Sequence, residues 1–127
     1  MAVHIVRLGS PRAKGEGLRI GTVRRPPRGI PKDEYSSRNI YDVWFPNLAP
    51  SEPLLKEARP DDDKSWKSFR RRFMAEMKTP QARRTLDLLA ALSHSANFAV
   101  GCYCKDESRC HRSILRELLE LRGADIG

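Results

Sequence analysis

The stretch Asn97-Phe-Ala-Val-Gly-Cys-Tyr103 decides the fold, because it is short, apolar and uninterrupted. Such a run is typical of a strand that is buried on both faces of a sheet. A helical pattern follows it closely and ends at Gly123, with four apolar residues on one face, Ile114, Leu115, Leu118 and Leu119. A buried strand directly ahead of a helix indicates an α/β domain with a largely parallel sheet.

Three upstream segments also have strand character, namely residues 2–8, 18–23 and 41–45. They are rich in β-branched or aromatic residues, and apolar side chains alternate along them. A polar turn at residues 12–17 separates the first two, so we expect these two to pair as a hairpin or to lie side by side. Trp44 in the third segment is predicted to pack in the core.

Three helices are predicted between the third and the last strand, over residues 52–58, over 64–78, and from Pro80 onward. Ser51 and Thr79 are suitable N-caps for the first and third. The second has one apolar stripe at spacings of three and four, formed by Trp66, Phe69, Phe73 and Met77. In the third helix, the residues predicted to face inward are Leu86, Leu89, Ala90 and Leu92.

The length of 127 residues fits one domain, so we predict a single three-layer α/β domain over residues 1–127, with helices flanking the sheet. No apolar run approaches the roughly 18–20 residues that span a bilayer. Residues 1–8 contain His4 and Arg7 and do not resemble a signal-peptide core. The three cysteines lie within nine residues, too close together to brace a secreted scaffold, which predicts a cytoplasmic protein.

Positive charge is concentrated at the amino-terminal end of the chain. The net charge is +8, and residues 1–38 hold nine Lys and Arg against three acidic residues. A basic composition favours association with nucleic acids, phosphorylated metabolites or acidic surfaces, but it says nothing about the fold.

The densest chemistry lies in Cys102-Tyr-Cys104-Lys-Asp-Glu-Ser-Arg-Cys110-His-Arg112-Ser113, where the inner strand ends and the last helix begins. Open α/β sheets bind ligands at this edge, and the amide groups at a helix N-terminus attract anions. Four residues there are candidate anion ligands: Arg109, His111, Arg112 and Ser113. The alternative is that Cys102 and Cys104 are small buried hydrophobes beside a solvated loop.

A second cationic segment, Arg24-Arg-Pro-Pro-Arg-Gly-Ile-Pro-Lys32, cannot form regular structure because of its three prolines. Guanidinium groups on a stiff backbone lose little freedom on binding. Arg24, Arg28 and Lys32 are therefore further candidate anion ligands. A surface charge cluster that only keeps the protein soluble is the competing interpretation.

Two other kinds of site are compatible with the same cysteines. Cys102, Cys104, Cys110 and His111 match a common zinc ligand set. Adjacent residues on a helix diverge by about 100°, however, so Cys110 and His111 would reach one metal only with awkward geometry, and we expect substoichiometric zinc. Alternatively, Cys110 and His111 are candidate catalytic residues, because a helix N-terminus and neighbouring arginines lower a thiol pKa.

The order of three motifs carries a family resemblance: the Arg24–Lys32 segment, then Leu48-Ala-Pro-Ser51, then Phe69-x3-Phe73-x2-Glu76-Met77. Over most of its length the chain resembles the YeaO-like family known as domain of unknown function 488. That family's Arg-x-x-Pro-Arg-Gly loop corresponds here to Arg24, Pro27, Arg28 and Gly29. Its Cys-His-Arg helix start resembles Cys110-His111-Arg112. The resemblance implies a small α/β domain and supplies no activity, cofactor or catalytic residue.

Two functions follow as hypotheses. The protein binds a phosphate-bearing small molecule or nucleotide between the two cationic segments, or it is a basic nucleic-acid-associated protein without a pocket. The first predicts that Arg28 lies within reach of Cys104 and that the Arg112 head lies at the helix mouth. A purely structural Arg112 would instead cap a carboxylate such as Asp42 or Asp106.

Overall fold

The central sheet of the computed structural model, which describes residues 1–59 and 61–127, has four parallel strands. These are β1 (Val3–Arg7), β2 (Leu18–Gly21), β3 (Val43–Trp44) and β4 (Phe98–Cys102), in the spatial order β1-β4-β2-β3. All residues of β4 are buried, as the uninterrupted apolar run predicts. The predicted α/β class and the parallel sheet are confirmed.

Strands β1 and β2 do not pair with each other, so the expectation of a hairpin or of side-by-side strands is wrong. Strand β4 lies between them, and Phe98 is opposite both Val3 and Leu18. The physical reason is direction: parallel strands cannot be joined by a tight turn, so the chain between them must cross a face of the sheet.

Four helices contribute to the main core: α1 (Glu52–Glu57), α2 (Asp63–Glu76), α3 (Pro80–Leu92) and α4 (His111–Leu121). Short 3-10 turns occur at Lys32–Glu34, Pro46–Leu48 and Glu107–Arg109. Thr79 caps α3 by accepting a hydrogen bond from the Ala82 amide. The core combines strand residues such as Val100 with the predicted helix faces, including Phe69, Phe73, Leu86, Ile114 and Leu115. No helix among the described residues is long and apolar enough to cross a bilayer.

Two predicted core residues are exposed. Trp44 is 44% exposed because β3 is the edge strand and has only two residues, although the indole N–H donates to the Val23 carbonyl. Leu92 is 38% exposed at the last turn of α3. In both places the local pattern is apolar, but the neighbouring elements do not extend far enough to cover the side chain.

Gly21 and Gly101 let neighbouring groups approach the sheet closely, a loop tyrosine in one case and strand β1 in the other. A Cβ at Gly21 would meet the Tyr41 ring at 2.3 Å, and one at Gly101 would meet the Val6 carbonyl oxygen at 2.6 Å. Arg19 is fully buried and donates to the carboxylate of Glu16 and to the carbonyls of Ser10 and Asn39. These bonds tie the β1–β2 connection to the segment before β3.

A second ion pair holds the same loops together. Arg12 donates to both carboxylate oxygens of Asp42 at 2.8 and 2.9 Å, and the Arg19 amide and the Ser36 hydroxyl donate to the same group. Partial burial raises the pKa of Asp42, but these hydrogen bonds together outweigh it and lower the pKa to about 2. The charged carboxylate is therefore the form that stabilises the fold.

We expect acid to weaken the fold through Asp42. A pKa below the ordinary value contributes stability that is present above about pH 4 and is lost as the pH falls toward 2. Asp42→Asn should lower the free energy of unfolding at pH 7 by about 2 kcal/mol and flatten its dependence between pH 5 and 2. Urea unfolding across this range is the measurement. The matched control is Asp33→Asn at an exposed carboxylate; equal pH dependence in all three proteins would contradict the assignment.

Candidate site at the carboxyl edge of the sheet

The segment between β4 and α4 brings three candidate functional side chains together. Its 3-10 turn at Glu107–Arg109 is capped by Asp106, whose side chain accepts from the Ser108 amide. Cys110 follows as the N-cap residue of α4, with extended backbone at φ −126° and ψ 152°. The chain thereby returns to the end of β4, where Cys102 lies. We call Cys102, Cys110 and His111 the cysteine–histidine centre.

The two cysteines of this centre are almost completely buried, with 1% and 2% of their surfaces exposed. Their sulfur atoms are in bonding contact as a disulfide, while their Cα atoms are 7.9 Å apart. The two sulfurs and one ring nitrogen of His111 all lie within 4.8 Å of one another. The third cysteine, Cys104, is exposed and free.

Hydrogen bonding assigns the protonation state of His111. Its Nε2 lies 2.6 Å from the carbonyl oxygen of Thr22, which can only accept, so Nε2 carries the proton. Burial, together with the charge of Arg112, lowers the pKa of His111 to about 4 despite this hydrogen bond. The ring is neutral near pH 7, and its Nδ1 presents a lone pair 3.7 Å from the Cys110 sulfur. His111 thus has no N–H left for an anion.

The expected divergence of Cys110 and His111 is wrong. The 100° rotation applies only when both residues have helical backbone. Cys110 is extended and His111 is the first residue of α4, so their side chains converge. The structure thereby brings together three of the four residues considered as zinc ligands, and the Cys104 sulfur is outside the group of mutually close ligand atoms.

Arg112 lies beneath the loop and not at the rim of the helix mouth. It is 4% exposed and donates to the Cys104 carbonyl at 2.8 Å, so it does not cap Asp42 or Asp106. Its Nε has no hydrogen-bond partner among the described residues. Burial lowers the pKa of Arg112. The nearby carboxylate of Glu107 is hydrogen-bonded to the guanidinium of Arg116.

The other predicted anion ligands have different surroundings. Arg24 donates to the carbonyls of Ala49 and Pro50, and Ser113 donates its hydroxyl to the Cys110 carbonyl. Arg109 pairs with Asp63, and its guanidinium lies 6.0 Å from the Trp66 ring centre. Lys32 lines a separate cleft with Asp33 and Tyr35. Arg28 is exposed and lines neither of the clefts described next.

Two clefts meet above the cysteine–histidine centre and share Leu55, Cys104 and His111. The first, of about 90 Å³, is the aromatic cleft, and its other lining residues include Ala58, Trp66, Phe69, Arg109 and Cys110. The second, of about 250 Å³, is the arginine cleft, and its other lining residues include Val23, Arg24, Arg25, Pro50 and Cys102. Both linings are largely apolar, with arginines among them.

The sequence pattern does not reveal two contributors to this site. Thr22 contributes its backbone carbonyl oxygen. Because every residue has a carbonyl, the sequence cannot single out Thr22. Leu55 belongs to a predicted helix of ordinary composition, yet it is 41% exposed and forms the wall between the two clefts. The adjacent leucines at positions 54 and 55 are the local signal in the sequence, and only the first of them is buried.

Residues 3–123 match the sequence model of a family described as the active DUF488-N3 subclade. This match confirms the resemblance to the YeaO-like family inferred from the motifs. The chain matches no curated protein and no solved structure.

Thiol accessibility gives a direct test of the site geometry. An alkylating reagent added to the native protein should modify Cys104 alone, because Cys102 and Cys110 are buried. Reduction followed by unfolding should expose all three thiols. Mass spectrometry of the labelled peptides is the measurement, with Cys104→Ser as the control that should take up no label. Modification of Cys110 in the native protein would contradict the geometry.

Proposed function

The chain belongs to the DUF488-N3a family, and we propose that it binds a phosphate-bearing small molecule or nucleotide at the amino end of α4. The observation that carries the proposal is Arg112. It is a buried guanidinium that donates to a carbonyl, leaves Nε unpartnered among the described residues, and has no carboxylate hydrogen-bonded to it there.

Electrostatics explains why such a residue favours an anion. Burying a charge is costly unless an opposite charge or a full set of hydrogen bonds compensates it. Arginine cannot escape this cost by losing its proton at physiological pH. A phosphate oxygen near Arg112 would supply both the missing acceptor and a negative charge hydrogen-bonded to the guanidinium, since the Glu107 carboxylate is hydrogen-bonded to Arg116.

The start of α4 strengthens this attraction. Cys110 offers no side-chain cap, and no acidic residue lies in the first turn. The backbone amides there carry partial positive charge and point toward the end of the helix. Phosphate groups are commonly held by such amides together with arginine.

The two clefts offer room for the rest of the ligand. Their apolar walls suit a base or another apolar group, with Leu55 and Trp66 as contact surfaces. Arg24 and Arg109 line these clefts, whereas Arg28 and Lys32 do not. Arg112 lines neither cleft and lies beneath the loop that ends at Cys110, so the phosphate would enter beneath that loop to reach it. The proposal therefore keeps Arg24, Arg109 and Arg112 as ligands and replaces the predicted pair of cationic segments with a site centred on α4. The cytoplasmic location stays a prediction.

We expect Arg112→Met to weaken the binding of inorganic phosphate and AMP by about 1.5–3 kcal/mol, roughly 10- to 150-fold, as for a lost charge-assisted hydrogen bond. Arg112→Lys should recover part of the loss, because it restores the charge without the planar fork. Isothermal titration calorimetry measures the affinities. The matched control is Arg122→Met at the other end of α4, where the side chain pairs with Asp87.

Melting temperatures separate a binding defect from a folding defect. Arg112→Met also removes the hydrogen bond to the Cys104 carbonyl, so affinities are compared below the melting temperature of every variant. Should this variant not fold, stabilisation of the wild-type protein by phosphate remains measurable. Unchanged affinity in folded Arg112→Met, or no phosphate or AMP binding by wild type, would refute the proposal.

The dependence of affinity on ionic strength distinguishes nucleic-acid binding from binding of one phosphate in a pocket. Binding through many backbone phosphates falls steeply with ionic strength, whereas a pocket for one phosphate gives a shallow dependence. A duplex oligonucleotide that binds with a steep slope, while phosphate and AMP fail to bind, would favour the nucleic-acid function.

A further inference from the structure

We propose that the dithiol form of the protein binds a Zn²⁺ ion through the Cys102 sulfur, the Cys110 sulfur and Nδ1 of His111. This proposal does not depend on the anion site, because none of the three ligands is needed to bind phosphate at Arg112. It assigns a metal site to residues that the proposed function leaves unexplained. It also replaces the expectation of substoichiometric zinc, which assumed that the side chains of Cys110 and His111 diverge.

One pair of ligand atoms already has the spacing of a tetrahedral ion, and the two bonded sulfurs would have to move apart once the disulfide is reduced. Zinc bonds of about 2.3 Å to sulfur and about 2.0–2.1 Å to nitrogen place neighbouring ligand atoms roughly 3.5–3.8 Å apart. The Cys110 sulfur and His111 Nδ1 are separated by 3.7 Å, and all three ligand atoms fall within 4.8 Å. Small side-chain rotations at Cys102 and Cys110 would open the space between their sulfurs for the ion.

The His111 imidazole has the tautomer and orientation that a zinc ligand requires. Zinc binds the neutral ring, and a ligating histidine usually donates its other N–H to a backbone carbonyl or carboxylate. In His111 the Nε2 proton is used on Thr22, so Nδ1 is unprotonated. The Phe73 ring packs edge-on against the imidazole, with ring centres 5.6 Å apart, and restricts its rotation.

The backbone separation of the cysteines also favours a metal between them. Relaxed disulfides hold their Cα atoms roughly 4.4–6.8 Å apart. The Cα atoms of Cys102 and Cys110 are 7.9 Å apart. An ion inserted between two sulfurs makes the link longer, so this separation suits a shared metal at least as well as a direct bond.

Three protein ligands leave one coordination position open. The aromatic cleft is lined by Cys110 and His111, and the arginine cleft by Cys102 and His111. The fourth position is therefore taken by water or a bound molecule from the clefts. An open position of this kind is characteristic of catalytic zinc sites, including those with two cysteines and one histidine. Cys104 lines both clefts, but its sulfur is outside the ligand group.

The disulfide is the competing state of the same cysteines, so the experiment starts from reduced protein. The chain is reduced with a phosphine, freed of reductant without oxygen, and incubated with one equivalent of Zn²⁺ or Co²⁺. After gel filtration, elemental analysis should find one zinc per chain. The cobalt form should show a thiolate charge-transfer band, and X-ray absorption should fit two sulfurs and one imidazole nitrogen.

Variants test the assignment of each ligand. Cys102→Ser and Cys110→Ser should each lower the affinity for zinc by about 100-fold or more, since losing a ligand costs at least as much as losing an outer hydrogen bond. Cys104→Ser is the matched control and should keep one zinc per chain. Should the buried variants fail to fold, the cobalt and X-ray absorption spectra of the wild-type protein still identify the ligands.

Substoichiometric zinc in reduced, folded wild-type protein would overturn the proposal. So would loss of zinc in Cys104→Ser together with its retention in Cys102→Ser or Cys110→Ser. Phosphate titration of the metal-free and zinc-loaded forms is run in parallel, so that failure of the metal site is distinguishable from failure of the anion site.

Discussion

Strand β4 is hydrogen-bonded to a parallel neighbour on each side, β1 and β2, and every one of its residues is buried. Gly101 lies so close to β1 that a Cβ would fall 2.6 Å from the Val6 carbonyl oxygen, so this position has no room for a side chain. A strand confined in this way cannot slide or rotate. The position of Cys102 at its end is therefore fixed, and the loop to α4 has to be built around that point.

Burial acts differently on the two adjacent residues that begin α4. His111 adapts to the low-dielectric surroundings by remaining neutral, which leaves a lone pair on Nδ1. Arg112 keeps its proton and remains a cation with an unsatisfied donor among the described residues. One helix turn thus carries both the side chain assigned to the proposed metal site and the side chain assigned to the proposed anion site. The two chemistries follow from the same burial because the two side chains have very different proton affinities.

Local periodicity predicts much of the fold. The apolar run of β4 and the stripe of Phe69, Phe73 and Met77 in α2 depend on near neighbours in the sequence, and both are buried as expected. The placement of β4 between β1 and β2 depends on how the connections cross the sheet, which the spacing does not encode. Exposure of Trp44 has the same origin, since it depends on how far the edge of the sheet is covered.

The candidate site is predictable in location but not in geometry. The sequence places the cysteines, His111 and the arginines at the strand-to-helix edge. Convergence of Cys110 and His111 depends on an extended residue just ahead of the helix, and burial of Arg112 depends on the loop that folds over it. Neither is visible in residue spacing. The separate location of Lys32 reflects the path of the Pro-rich segment away from α4.

Charge balance makes the two proposed ligands compatible. Two thiolates neutralise the charge of Zn²⁺, and the neutral His111 adds none, so a loaded centre has the same net charge as the disulfide. The metal therefore adds no net charge beside Arg112, and the electrostatic cost of burying its guanidinium is the same in both states. A phosphate that pairs with Arg112 would therefore meet the same net charge at the cysteine–histidine centre with or without the metal. Metal and anion can then occupy neighbouring positions, because the protein supplies the negative charge for one and the positive charge for the other.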